Sequence, residues 1–182
     1  MLSAELEKLQ QDFPNDVELN PKTGDLTIKR NIKFATNEAK ISNASDAKFL
    51  TDFIPKWAKI ITKDTYSKLI IGLTVEGTAD PKGAFPTREE NYQYNLRLSQ
   101  ERAREVTRFI LQECKKISKE HRSKLRELLS SSGRSDVEGY LALERAGWSD
   151  AKIRADGDKQ QYRSVRLRLS LFNPLLEWGK GK

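Results

Sequence analysis

The chain has few of the residues that build redox centres, metal sites and membrane spans. Its 182 residues include one cysteine, Cys114, and one histidine, His121, so an internal disulfide is excluded and no Cys and His grouping has metal-ligand spacing. The opening segment, MLSAELEKLQQDF, lacks both the apolar stretch of a signal peptide and the roughly 20 apolar residues of a membrane span. No cofactor is implied, and a single cysteine does not decide the compartment.

Positive charge is the main compositional signal. Lys plus Arg number 33 against 26 for Asp plus Glu, which gives a formal net charge of +7. This balance favours an anionic partner, and nucleic acid, an acidic membrane surface and the carboxylate-bearing cell wall all meet that description. With 37% hydrophobic residues the chain has enough apolar side chains for one folded domain. Composition alone does not choose among the three partners.

Alternating and apolar runs predict about four β-strands. Two short alternating runs lie within residues 17–34 and are divided by the turn signal PKTGD at residues 21–25. Residues 69–75, LIIGLTV, carry apolar side chains on both faces, which is typical of a central buried strand. Residues 163–171 alternate strictly between apolar and polar side chains. A Ser and Gly run around Gly133 is compatible with the start of a further short strand.

Apolar side chains at steps of three and four residues predict helices at about residues 45–62, 91–116 and 118–129. The order of the main elements is then β-α-β-α-β, which indicates a single α+β domain over residues 17–173. Residues 1–16 are predicted to be a linker or a short helix, and residues 174–182 a tail. The polar stretch at residues 137–161 is assigned to no element.

Asp80 and Arg102 are charged residues whose positions indicate a binding site. Asn95, Leu98 and Arg102 are spaced by three and four residues, so their side chains share one stripe of the long helix. Asp80 follows the buried strand, where strand ends and loops commonly form ligand sites. An Arg fork can hold a carboxylate while an Asp accepts from an ammonium, so a ligand with both groups would fit. Taken singly, Asp80 also fits a turn cap, and Arg102 a solvated helix arginine.

Four segments resemble the signatures of OmpA-like peptidoglycan-binding domains, over about residues 24–171. GTAD at residues 77–80 resembles G-x-T/A-D, and NLRLSQERAREV at residues 95–106 resembles N-x-x-L-S-x-x-R-A-x-x-V. FATNEAKI at residues 34–41 is similar to the family's first motif, F-x-x-x-S/E-A-x-L/I, and YRSVRL at residues 162–167 is similar to its closing N-R-R-V-E-I strand. The resemblance implies the OmpA C-terminal type of fold, a mixed sheet with helices packed on one face.

The resemblance also implies that the chain binds peptidoglycan and is not an enzyme. In that family the Asp and the Arg of the first two signatures hold the diaminopimelate of the stem peptide. This assigns the same role to Asp80 and Arg102, with Asn95 and Leu98 at motif positions beside them.

Two further residues are candidate ligand contacts. Tyr94 precedes the second signature directly, and packing beneath the loop explains it equally well. Arg163 belongs to the closing signature, which departs from the family pattern because Tyr162 and Ser164 stand where Asn and Arg are usual.

The loop before the long helix resembles that of stator proteins. Asp80 and Asn95 are fifteen positions apart, which is longer than in OmpA itself but similar to the flagellar stator protein MotB and its relatives. The loop length and the start of the helix also resemble the stator-like component of Zorya phage-defence systems. These likenesses imply a periplasmic domain of an inner-membrane-anchored protein whose anchor is not in this chain. They further imply a homodimer through the full-length protein and a membrane-embedded stator partner subunit.

A basic nucleic-acid-binding domain is the alternative from another class of function. Lys and Arg are plentiful, and Arg166 and Arg168 face outward on the last predicted strand. That strand lacks aromatic stacking positions, and the chain has no RNA-recognition or helix-turn-helix signature. Wall hydrolysis is poorly supported as well, because Glu89 and Glu90 are adjacent on a loop and do not flank a substrate. We therefore expect peptidoglycan, and no nucleic acid, as the partner.

Overall fold

Five β-strands and six α-helices make up the described part of the chain. The computed structural model describes residues 1–20, 22, 25–28, 39, 41, 43–66, 68–83, 85–157, 162 and 165–171. In chain order the elements are α1 (Leu2–Asp12), β1 (Val17–Leu19), β2 (Leu26–Ile28), α2 (Ala44–Ile61), β3 (Ile70–Gly77), α3 (Arg88–Glu113), α4 (Lys119–Leu128), β4 (Leu129–Gly133), α5 (Val137–Arg145), α6 (Asp150–Asp156) and β5 (Val165–Leu171). None of these helices has the length and apolar composition that spanning a bilayer requires. The segment at residues 34–41, which resembles the family's first motif, lies almost wholly outside the described residues.

The strands form one mixed sheet in the order β1-β2-β5-β3-β4. Strands β3 and β4 run parallel, and the other neighbouring pairs are antiparallel. The last strand in sequence is therefore central, with Leu167 paired to Leu26 on one side and to Val75 on the other. The α+β fold class with a mixed sheet is confirmed, and the described sheet has five strands rather than about four. The additional strand is β4, which covers the Ser and Gly run where the sequence is compatible with a further short strand, but it ends at Gly133 rather than starting there. Its serines lack the apolar alternation that marks the other strands.

The core lies between the sheet and the first four helices. Strand β5 directs its apolar side chains into this core and its arginines to the opposite face. Helix α2 contributes a row of aromatic rings, in which Phe53 stacks on Phe49 and Trp57 at centroid distances of 5.4 and 6.3 Å. Fully burying an apolar side chain of this kind stabilises the fold by about 1.5–3 kcal/mol.

Two segments with little sequence signal are helical and packed. Helix α1 buries three leucines in the same core, so the first residues form a helix that belongs to the packed body. The polar stretch at residues 137–161, which matched no predicted element, contains α5 and α6. The Tyr140 hydroxyl of α5 donates to Asp150 of α6 at 3.0 Å. Each of these helices buries a single large apolar side chain, Leu143 and Ile153, which is too few to produce a periodic pattern.

Two glycines allow α3 to touch the ends of β3 and β4. Gly77 and Gly133 are paired in register as the last residues of these parallel strands. A Cβ added to Gly77 would lie 2.3 Å from the Ser99 carbonyl oxygen, and one added to Gly133 would lie 2.5 Å from the Gln100 nitrogen. Neither place admits a side chain larger than hydrogen. The segments that follow the two strands are therefore held against the middle of α3.

Replacing Gly77 with alanine should lower the free energy of unfolding by about 1–3 kcal/mol, because the added methyl group must push the backbone of α3 away. Urea denaturation of the purified chain measures this change. The matched control is Gly72→Ala in the same strand, whose added Cβ would lie 3.4 Å from Ser170, an ordinary contact. Equal stabilities of the two variants would contradict the close approach of helix and strand.

The thiol of Cys114, directly after α3, should be inert in the native chain. Burial, together with the neighbouring Glu113 carboxylate, raises the pKa of this thiol to about 12. Alkylation requires the thiolate. We therefore expect iodoacetamide at mildly alkaline pH to modify the urea-unfolded chain fully while leaving the native chain unmodified, as measured by mass spectrometry. Equal rates of modification in the two states would show that the thiol is accessible.

Candidate functional site

Local side-chain bonds fix the start of α3, the helix that carries most of the candidate residues. The Thr87 hydroxyl accepts from the Glu90 amide at 3.2 Å, and the Glu90 carboxylate accepts from the Thr87 amide at 3.3 Å. This reciprocal cap satisfies amides that helix geometry leaves without partners. The Asn91 side chain accepts from the Phe85 amide at 2.9 Å and donates to the Phe85 carbonyl at 2.7 Å. The loop that precedes the helix is thus held at its helix end.

Asn95 and Arg102 face the segment that leaves β3. Asn95 Nδ2 donates to the Asp80 carbonyl oxygen at 3.2 Å, and Arg102 Nη1 donates to the Thr78 carbonyl oxygen at 3.3 Å. Both side chains are buried, as is Leu98, which lies between them on the helix. The structure therefore brings the predicted stripe of α3 against residues 78–80 through hydrogen bonds to their backbone.

The Asp80 side chain is half-buried at the end of this segment. Its Oδ1 accepts from the Lys82 amide at 3.3 Å, a contact typical of an Asp that starts a turn. The interpretation of Asp80 as a turn cap therefore accounts for this hydrogen bond.

Arg102 is a buried cation, with 2% of its surface exposed. A buried charge is costly unless acceptors surround it, and the Thr78 carbonyl is one of them. In such a shielded place a guanidinium binds a carboxylate more strongly than it does at the surface. Arg97 and Arg104 of the same helix are exposed, so Arg102 is not one of the solvated arginines.

Tyr94 lies against the loop, and its ring is half-buried. The ring centroid is 5.4 Å from that of Phe85, whose side chain is 43% exposed. Arg163, the remaining candidate contact, lies outside the described residues. The neighbouring Tyr162 accepts through its carbonyl from the Thr78 hydroxyl at 2.6 Å, which joins the start of β5 to the end of β3.

A second acidic residue, missed by the sequence analysis, lies beside Asn95. Asp136 follows β4 as Asp80 follows β3, three residues after each of the paired glycines. Its buried carboxylate accepts two bonds from Arg88, at 3.0 and 3.1 Å, and one from Asn95 Nδ2 at 3.2 Å. The spacing Gly-x-x-Asp, shared by GTAD and GRSD, is the sequence signal that indicates this residue.

The outward face of the sheet is a network of ion pairs. Glu76 is buried within it, 3.8 Å from Arg134, 3.9 Å from Arg166 and 3.4 Å from Arg168. Arg166 also forms two bonds of 2.7 Å with Glu138. The outward arginines predicted on β5 are therefore paired with carboxylates of the same face.

A cavity of about 330 Å³ lies where this network meets the end of β3. Its described lining includes Thr78, Ala79 and Tyr162 but neither Asp80 nor Arg102. The cavity is therefore next to the candidate site rather than part of it. In the described ranges, the His, Cys, Asp and Glu side chains form no group that could hold a metal ion.

Comparison with known proteins identifies the fold. No family model and no curated protein matches the sequence. Similar solved structures are a MotB-like protein from Desulfovibrio vulgaris (TM-score 0.55, 12% identity, covering 93% of this chain and 88% of that chain), the cell wall anchor of the T6SS from Pseudomonas aeruginosa (TM-score 0.54, 19% identity, 91% and 96%) and the periplasmic domain of Helicobacter pylori MotB (TM-score 0.50, 15% identity, 88% and 83%). At these identities the likeness shows the fold alone, which is an α+β domain of the OmpA C-terminal type.

The Glu138 and Arg166 pair should make stability depend on pH. The Arg166 guanidinium holds the pKa of the Glu138 carboxyl below its usual value of 4.5. A carboxylate whose pKa falls on folding stabilises the fold above its unfolded pKa, and that stabilisation is lost as the pH drops through the folded pKa. Glu138→Gln should therefore lower the free energy of unfolding at neutral pH, by at most about 1 kcal/mol because both side chains are partly exposed.

Urea denaturation at a series of pH values measures this difference between wild type and Glu138→Gln. The difference should shrink progressively as the pH falls below 4.5. A difference that is the same at every pH would contradict the ion pair.

Proposed function

We propose that this chain binds the stem peptide of peptidoglycan without catalysing a reaction, and thereby fastens a membrane protein to the cell wall. Asp80 and Arg102 are the principal binding residues, with Asn95 and Leu98 beside them. One observation carries the proposal: Arg102 and Asn95 both hydrogen-bond to the backbone of residues 78–80, at 3.3 and 3.2 Å. The buried Arg102 cation and the half-buried Asp80 carboxylate therefore both lie at the end of β3.

The ligand that suits this pair is diaminopimelate, which carries an ammonium and a carboxylate on one carbon. The Arg102 fork would hold the carboxylate through two parallel bonds, and Asp80 would accept from the ammonium. Each such bond contributes roughly 1.5–3 kcal/mol when a charged group takes part. Tyr94 and Arg163 are proposed as outer contacts of the same peptide.

The proposed parent protein is a MotB-like stator subunit. Two of the similar structures are named as MotB or MotB-like, and the third as a cell wall anchor. On this proposal residues 17–173, together with the packed helix α1, form a periplasmic domain of an inner-membrane-anchored protein. That protein dimerises through its full-length chain beside a membrane-embedded partner subunit. The fifteen positions between Asp80 and Asn95 favour the stator relatives over OmpA itself, including the stator-like component of Zorya antiviral systems.

Two other functions are less well supported. For nucleic-acid binding, the outward cations Arg166 and Arg168 already lie against carboxylates of their own face, so they form no separate basic stripe. For wall hydrolysis, Glu90 belongs to the helix cap and Glu89 is exposed beside it. The two carboxylates therefore do not lie on opposite sides of a substrate, as hydrolysis would require.

Asp80→Asn should weaken binding to the cell wall. Sedimentation of the purified chain with isolated peptidoglycan of the diaminopimelate type measures the bound fraction over a range of concentrations. We expect the apparent affinity to fall about tenfold to a hundredfold, equivalent to the loss of one charge-assisted hydrogen bond. Asparagine keeps the shape of the side chain and its oxygen toward the Lys82 amide, so the fold should persist. Arg102→Lys tests the other charge, because lysine retains the cation but cannot form the two parallel bonds.

The matched control is Asp52→Asn, which removes a carboxylate of α2 whose side chain is 52% exposed. This variant should sediment like the wild type. Unchanged sedimentation of a variant that combines Asp80→Ala with Arg102→Ala would overturn the proposal. Binding of DNA with a steep salt dependence, without binding of peptidoglycan, would favour the nucleic-acid alternative.

A further inference from the structure

The second Gly-x-x-Asp segment places a fixed carboxylate beneath the candidate site. The Asp136 side chain is fully buried and accepts two bonds from Arg88 and one from Asn95. The Arg88 guanidinium is itself held over the ring of Tyr140 at 4.1 Å. A carboxylate buried this completely is tolerated only while such donors surround it. Asp136 is therefore an acceptor whose position is set by the fold and not by a ligand.

The Asn95 side chain can take only one orientation beside this carboxylate. Its Nδ2 lies 3.2 Å from both Asp136 Oδ2 and the Asp80 carbonyl oxygen. An ionised carboxylate and a carbonyl oxygen accept hydrogen bonds and cannot donate them, so both contacts require the amide nitrogen. The two hydrogens of that nitrogen are thereby used, and the amide oxygen, Oδ1, is turned to the opposite side.

We infer that Asp136 determines, through Asn95, which ligand group the site accepts. Among the described residues, no group donates to Oδ1, which leaves this Asn95 atom for a ligand. The ligand group opposite it must then be an N–H donor, such as a peptide amide or an ammonium. A carbonyl or carboxylate there would face an acceptor and be rejected. Asp136 does not touch the ligand, so it is a positioning residue. The inference rests on the proposed binding of a stem peptide. Beside the Asp80 and Arg102 pair, it adds a hydrogen bond from an N–H group of the ligand to Asn95 Oδ1.

A double-mutant cycle separates this positioning role from a general structural one. The probe is a soluble stem peptide that contains diaminopimelate, and calorimetry gives its Kd for the wild type, Asp136→Asn, Asn95→Ala and the double variant. We expect each single substitution to raise the Kd about five- to tenfold, the effect of one hydrogen bond. The double variant should bind no more weakly than Asn95→Ala alone, because Asp136 acts through Asn95.

Two results of this cycle would overturn the inference while leaving the proposed function intact. One is an unchanged Kd for Asp136→Asn, and the other is an Asp136→Asn effect that persists at full size in the Asn95→Ala background. The control for lost stability is Leu125→Ala, a fully buried core position on α4, which should lower the unfolding temperature without changing the Kd.

A measurement without ligand tests the hydrogen bonds of Asn95 Nδ2, even if Asp136→Asn fails to fold. In wild-type chain labelled with nitrogen-15 at asparagine, the Asn95 Nδ2 hydrogens should exchange with water about tenfold or more slowly than those of exposed Asn15. Equal exchange rates would overturn the inference. Failure of the proposed function would give a different result. The wild type would not bind the stem peptide, and Asp80→Asn would not change its sedimentation with peptidoglycan. The inferred ligand contact would then be lost, although the slow exchange of the Asn95 hydrogens would persist.

Discussion

The middle of α3 touches the ends of two parallel strands, and the candidate site is built around that contact. Gly77 and Gly133 have no side chains, so the helix backbone at Ser99 comes against both strand ends. Residues three and four positions away on a helix lie on the same side, which brings Asn95 and Arg102 to the chain segments that leave the strands. The side chains of the site are therefore placed by a close contact between the backbones of a helix and two strands.

The buried charged side chains at this end of the sheet lie within reach of hydrogen-bonding or oppositely charged partners. Asp136 is held by Arg88, Arg102 donates to a backbone carbonyl, and Glu76 lies among three arginines of the outward face. Such groups are expensive to bury singly, so each constrains the position of its neighbours. A site whose charges are held in this way needs little ordering when a ligand arrives, and binding keeps more of its interaction free energy.

The elements with a strong local pattern were predictable, and those that depend on distant partners were not. The apolar stripes of α2 and α3 and the alternation of β5 appear in the sequence at nearly their observed bounds. Strand β4 is mostly serine, and it is a strand because it pairs with β3. Helices α5 and α6 each bury one large apolar side chain, so they form only where the rest of the domain covers them. Asp136 lies in this poorly patterned region, so the hydrophobic pattern of the sequence does not mark it.

The sequence by itself determined which side chains share a face. The period of a helix is a local property, so Asn95, Leu98 and Arg102 lie on one stripe of α3 whatever surrounds it. Only the tertiary structure decided what that stripe meets. It buries Arg102 while Arg97 remains exposed, and it joins Asn95 to a carboxylate 41 residues away. The reason is that the pairing of β3 with β4 and its fit to α3 are long-range contacts, which no local pattern of residues encodes.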